Sequence, residues 1–381
     1  MKICGTLISK LNANKTDKEK VHHMKLHTCD EILPNGPPVS DMKQDGRVNW
    51  SLQVDNDCLT AISKLYVVSS HLSSFGSHGS VLRLDEPGNY QRQIAVKVIP
   101  YEIDPKQQYY VPGIVMRDAQ RELYVACQLN NIANETQVFT KTLGWLVSDF
   151  IPETWKRYIK HKEYADVEKR SHLFIFMESN PFTLLSESLV FYEADYTLII
   201  FLLFHAIYIA RRELGFKHND LHDRNFMFAS SLSQTPSMQI ELEVQRFEVV
   251  LPLGHFPKII DYGLSATSEA NDGVRQRRND LYFIMQSLQK RAEKREETVP
   301  NIPGMESLIN QTENGEYEPI ARFLLENEAF ESIRNTSKRQ KMDPICFFCG
   351  SHATLQWNNN DQRAFCTHGC GLKLNQIAVF L

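Results

Sequence analysis

An apolar run long enough to cross a bilayer is missing from this sequence. The best candidate, Tyr196 to Ala210, has 15 residues and carries His205. A spanning helix needs about 20, so a buried helix is expected there instead. No secretory leader is expected either, since Met1 to Lys10 is only briefly apolar and has no h-region. Neither charge dominates: 42 basic against 46 acidic residues leave −4, which speaks against nucleic acid as the main partner. Internal repeats and low-complexity tracts are absent, and the composition excludes a collagen, a disordered tail protein or a coiled coil for the bulk of the chain. What remains is ordinary globular composition, 42% hydrophobic and 23% charged. A length of 381 residues suits one large two-lobed domain with an appendage. An intracellular chain with no membrane association is expected.

The pattern along the chain reads as strands first and helices later. Residues 1–46 are polar, contain Pro34-Asn35-Gly36-Pro37-Pro38 and read as an irregular arm. Leu65 to Val68, Ser80 to Leu84 and Ile94 to Ile99 read as strands, with Asp85 to Asn89 as a turn. Residues 116–130 switch to helical period. Leu173 to Met177 is a further strand, Tyr196 to Leu214 a long buried helix, and residues 230–257 an inserted hairpin extended over Gln239 to Val250. Leu281 to Lys290 is helical, and 336–344 form a polar linker. The fold class expected is α+β: an N-terminal lobe over 47–178, a helical lobe over 179–335 and a small module over 345–381.

Five motifs follow one another in this frame. Ser74-Phe75-Gly76-Ser77-His78-Gly79-Ser80-Val81 lies between strand candidates, where glycines let backbone N–H groups approach phosphates; alone it reads equally as a hairpin turn. Lys97, mid-strand in Ile94-Ala95-Val96-Lys97, is costly to bury without an anionic partner. Glu122, on the helix that follows, could be such a partner by register; alone it reads as a solvated helix charge. His218-Asn219-Asp220-Leu221-His222-Asp223-Arg224-Asn225 places an Asp and, five residues on, an Asn in a polar loop after the buried helix. Asp220 can accept the proton of an attacking hydroxyl and Asn225 can ligate a metal. Finally, Lys258-Ile259-Ile260-Asp261-Tyr262-Gly263 ends an apolar strand in an Asp.

In order and spacing, these motifs resemble eukaryotic-type protein kinases over about residues 65–290, and in detail divergent members such as haspin and the kinases of large DNA viruses. The resemblance implies a two-lobed kinase fold, with a β-rich N-lobe and a helical C-lobe holding ATP between them. It implies catalytic roles for Asp220, Lys97 and Glu122. It implies ATP contacts from Gly76, Gly79, Val81 and Lys97, a hinge near Glu178, and Mg²⁺ ligation by Asn225 and Asp261. Asp280 would buttress the catalytic loop. A protein substrate with Ser/Thr hydroxyls, and a cytoplasmic or nuclear setting (within a host cell for a viral chain), are implied as well. The chain departs from the family at Ser74, where a glycine is usual, at His222, where many members have Lys, and in lacking an Ala-Pro-Glu motif. The short stretch from Asp261 to Asp280 leaves little room for a phosphorylated activation loop, so activity without activating phosphorylation is expected. His222 keeps open a kinase for a small-molecule hydroxyl, and a pseudokinase scaffold is the reading without chemistry.

Of eight cysteines, Cys4, Cys29, Cys58 and Cys127 are scattered, whereas Cys346, Cys349, Cys366 and Cys370 form two close pairs. Four thiolates at this spacing suit a structural, tetrahedral Zn²⁺. A module this small would draw its folding energy from the metal. The run Asn358-Asn359-Asn360-Asp361 is turn-like and would cap a hairpin. Nucleic acid enters as a partner only through this module.

Overall fold

The computed structural model describes Cys29 and residues 55–73, 79–87, 89–100, 116–159, 171–186, 189–230, 237–243, 245–250, 255–268, 279–334, 355–358 and 363–366. The rest of the N-terminal arm, Ser74 to His78 with Gly76, and Cys346, Cys349 and Cys370 lie outside the described residues. The chain divides into two compact units: 1–131, 140–179 and 261–274 make the first, and 132–139, 180–260 and 275–381 the second.

The first unit begins with helix α1 (Asn56–Leu65), started by the Asp55 carboxylate, which accepts the Cys58 N–H at 2.8 Å. Strands β1 (Val67–Ser73), β2 (Ser80–Glu86) and β3 (Asn89–Pro100) follow. Then come helix α2 (Met116–Asn131), β4 (Thr142–Ser148), a single turn α3 (Glu153–Lys156) and β5 (His172–Glu178). The strands form one antiparallel sheet in the order β1-β2-β3-β5-β4. Side chains alternate across such a sheet. Leu82, Leu84, Ile94, Val96, Val98, Leu146, Phe174 and Phe176 gather on one face with Leu59 and Ile62 of α1 and Trp155. The opposite face receives Val81, Lys97 and Ile175, which stand side by side in register. One period of strand thus buries the core and at the same time presents a lysine on the other side.

The second unit opens with β6 (Phe182–Thr183) and the helix α4 (Glu193–Leu214). From Tyr196 to Arg211 α4 is buried almost all round, and Gly215 ends it at φ 61°. At 22 residues it is longer than the 15-residue run read from the sequence and does reach the length and apolarity of a membrane span, but 72% of its most apolar window is buried, as in a core helix. A short 3₁₀ turn (Asp223–Asn225) leads into β7 (Phe226–Ser230). Strands β8 (Ser237–Leu242) and β9 (Gln245–Val250) pair as the hairpin expected from the sequence. Strand β10 (His255–Ile259) then pairs with β7, and β7 with β6. Helices α5 (Asp280–Arg295), α6 (Met305–Gln311), α7 (Glu318–Glu326) and α8 (Glu331–Arg334) complete the body. Fully buried Arg291 on α5 is satisfied on every side: it donates to the Leu184 and Leu189 carbonyls and to Glu297, and its guanidinium lies 4.1 Å from the centre of the Phe191 ring. Strands β11 (Leu355–Asn358) and β12 (Arg363–Cys366) pair antiparallel, and the Asn-Asn-Asp stretch between them lies outside the described residues.

The mixed α+β class matches the sequence reading. Helix α1 and strand β4 did not figure in it.

Candidate functional site

In the first unit, Lys97, Glu122 and Asp261 meet. The Lys97 Nζ donates to Glu122 Oε1 at 2.5 Å and to Asp261 Oδ1 at 2.8 Å. Both Lys97 and Glu122 are buried, whereas the Asp261 side chain is 33% exposed. Burial opposes the Lys97 charge, but the carboxylates of Asp261 and Glu122 outweigh it and hold the ammonium above its usual pKa. Glu122 is pushed up to about 7, by burial first and by the nearby Asp261 charge, against the pull of Lys97. Lys97 therefore remains a cation.

Asp261 sits at φ 64°, a left-handed conformation that costs a non-glycine residue roughly 1 kcal/mol. Its surroundings fix it there. The Tyr262 hydroxyl accepts the Thr140 N–H at 3.0 Å, Arg121 Nη2 donates to the Gly263 carbonyl at 2.9 Å, and the Thr267 hydroxyl donates to Gln128 Oε1 at 2.9 Å. Burial keeps the Tyr262 hydroxyl protonated. On the same unit, Glu178 Oε1 accepts the Lys141 N–H at 2.8 Å, and the Glu178 N–H donates to the Lys141 carbonyl at 3.0 Å. Gly79 has φ 137°, and a Cβ there would lie 2.6 Å from the Val98 carbonyl oxygen. The close approach of β3 is thus enough to require glycine at this position, whatever it does for a ligand.

In the second unit, the loop after α4 is hung from the start of α5. The carboxylate of buried Asp280 accepts the His218 N–H at 3.0 Å and the Asn219 N–H at 3.2 Å. His218 Nε2 lies 3.0 Å from the Ile260 carbonyl oxygen. Asn219 adopts φ 65°, a turn that delivers Asp220 to the surface of the loop with its side chain 31% exposed. Asn225 Nδ2 donates to the Asp220 carbonyl at 2.7 Å, closing the loop on itself. His222 Nδ1 accepts the Arg224 N–H at 3.2 Å, and its Nε2 lies 3.7 Å from Asp220 Oδ2. Asp223 is tied to Lys290 at 2.9 Å.

The structure therefore joins Lys97, Glu122 and Asp261 in one unit and Asp220 and Asn225 in the other. Arg121 and Gln128 escaped the sequence reading because a helical Arg or Gln reads as a solvated position. Among the described residues no cluster of three or more His, Cys, Asp or Glu could hold a metal, and three of the four C-terminal cysteines lie outside those residues.

Of the scattered cysteines, Cys29 and Cys127 form a disulfide, and Cys58 is disulfide-bonded as well.

No family model matches this chain, and no curated protein matches it. Among solved structures, the crystal structure of a kinase domain is similar to it at 17% identity, with a TM-score of 0.34, over 54% of this chain and 52% of that one. The match thus spans about half the length of that kinase domain.

Proposed function

We propose that this chain is an ATP-dependent phosphotransferase, a protein kinase that moves the γ-phosphoryl group to a Ser or Thr hydroxyl. The observation that carries the reading is the buried Lys97 ammonium, held between two carboxylates in the apolar stretch from Ile94 to Ile99 of β3. Such a group is costly to bury and has no packing role that Met or Leu would not fill better. It is suited to binding phosphate oxygens, with Glu122 keeping it oriented. Asp220 would accept the proton of the acceptor hydroxyl at its carboxylate, and Asp280 and Asn225 hold the loop that carries it. Each donor by itself suits a hard cation: in one unit Asn225 spends its N–H₂ on the Asp220 carbonyl, which leaves its oxygen as the ligand, and in the other Asp261 offers a partly exposed carboxylate. Mg²⁺ bound by Asp261 and Asn225 would supply neutralisation of the phosphate charge. His222, standing where a lysine would be the usual phosphate contact, supports a second reading in which the acceptor is a small-molecule hydroxyl. For the C-terminal module, structural Zn²⁺ on Cys346, Cys349, Cys366 and Cys370 is supported by the hairpin that ends at Cys366.

The test is transfer of labelled γ-phosphate from Mg·ATP to a mixed protein substrate, with Asp220→Asn alongside. Label on Ser or Thr that the variant loses is the expected result. ATP turnover without protein labelling would move the acceptor to a small molecule. Neither binding nor transfer would leave the fold as a scaffold.

A further inference from the structure

Helix α2 carries more than Glu122 toward Asp261. Arg121 and Gln128 are seven residues apart, so they face the same way, about 10 Å apart along the helix axis. Their partners, the Gly263 carbonyl and the Thr267 hydroxyl, are four residues apart, a span of at most about 14 Å of extended chain. Two helical turns of α2 therefore match the stretch from Gly263 to Thr267, and each end is fastened by a buried hydrogen bond. A third fastening comes from the far side, where the Tyr262 hydroxyl takes the backbone N–H of Thr140. Thr267 is 2% exposed and spends its proton inward on Gln128.

We infer that Arg121, Gln128, Tyr262 and Thr267 are positioning residues that clasp segment 262–267 against α2, so that Asp261 is held ready without a phosphate being added to that segment. The inference deepens the phosphotransferase reading and rests on it for the role of Asp261. The order that phosphorylation supplies elsewhere through new charge comes here from neutral and backbone hydrogen bonds formed at folding.

The experiment uses the full chain with Tyr262→Phe and Thr267→Val, each of which deletes one hydroxyl and keeps the shape. Amide hydrogen exchange is followed without nucleotide or metal. Each variant should exchange about fivefold faster at residues 262–267, the effect of losing one hydrogen bond, and Tyr262→Phe also at Thr140. Exchange that rises evenly across the first unit, or does not rise at all, overturns the clasp. Mg²⁺ titrations of nucleotide binding give the second readout. Weaker apparent Mg²⁺ binding in the variants, recovered at saturating Mg²⁺, supports a positioning role, and an unchanged titration overturns it. Phosphatase treatment of the wild-type chain should leave its transfer activity intact, and loss of that activity also overturns the proposal. A wild-type chain that binds no Mg·ATP counts against the phosphotransferase reading alone, because the exchange experiment still decides whether the segment is clasped.

Discussion

His205 makes the stability of the second unit fall on the acid side, by an amount that can be worked out. It is fully buried in α4, and burial pushes its pKa from 6.5 down to about 4, against a smaller opposing pull from the Glu241 backbone. The folded state therefore refuses a proton that the unfolded chain accepts. Stability contributed by the neutral imidazole is whole above pH 6.5 and is lost as the pH falls toward 4. The gap between 6.5 and 4, at about 1.4 kcal/mol per pH unit, amounts to about 3 kcal/mol. Because the loss is progressive, about 2 kcal/mol should be gone at pH 5. That is a large share of the 5–15 kcal/mol by which domains are typically stable. The assay is urea unfolding at pH 7, 6, 5 and 4 for the wild type and His205→Leu. Other groups titrate alike in both proteins, so the difference between the two curves isolates His205. We expect the His205→Leu variant to be no less stable at pH 7, since the substitution removes a buried polar ring, and the gap to widen by about 3 kcal/mol by pH 4. Parallel curves would refute the argument and mean that the ring is solvated or paired in the folded state.

Glu122 predicts a pH effect on activity that also falls on the acid side. Pushed up to about 7 chiefly by burial, it is neutral below that pH and charged above it, so phosphoryl transfer should rise with pH through about 7. Glu122→Gln should lower the plateau and remove that limb; a limb unchanged in the variant would assign it to another group. Gly79→Ala should cost the first unit about 1–3 kcal/mol in thermal unfolding, because the added methyl meets the Val98 carbonyl at a strained φ. An unchanged melting temperature would mean that β2 and β3 separate there without penalty.

Strand β3 was the most legible element, because its alternation fixed both the core face and the exceptional lysine. Glu122 was legible only by counting along a helix, and it needed the sheet to give it a partner. Helix α1 carried a signal in Asp55 and in the helical spacing of Cys58, Leu59 and Ile62, but the β-branched run directly after it drew the reading toward a strand. Strand β4 is apolar on both faces over most of its length, and a buried run of that size shows no period. Asp280 was legible only through the family resemblance, which implies an Asp that buttresses the catalytic loop, because an acidic residue in the first turn of a helix is by itself ordinary. The fastenings from Arg121, Gln128 and Tyr262 were not readable, since they join residues more than a hundred positions apart. The cysteine pairing was closed for the same reason: spacing alone does not choose partners.

The Cys29–Cys127 bond has a thermodynamic consequence for every measurement proposed above. Its ends are 98 residues apart, and the ring they close contains α1, β1, β2, β3 and both Lys97 and Glu122. In the chain-entropy view, closing a loop of that length restricts the denatured ensemble by about 4–5 kcal/mol at 25 °C. The first unit is thus one protein in an oxidising buffer and a markedly less stable one after a thiol reductant has opened the ring. Transfer and unfolding data gathered with and without reductant belong to two different reference states, and only values from the same state can be subtracted.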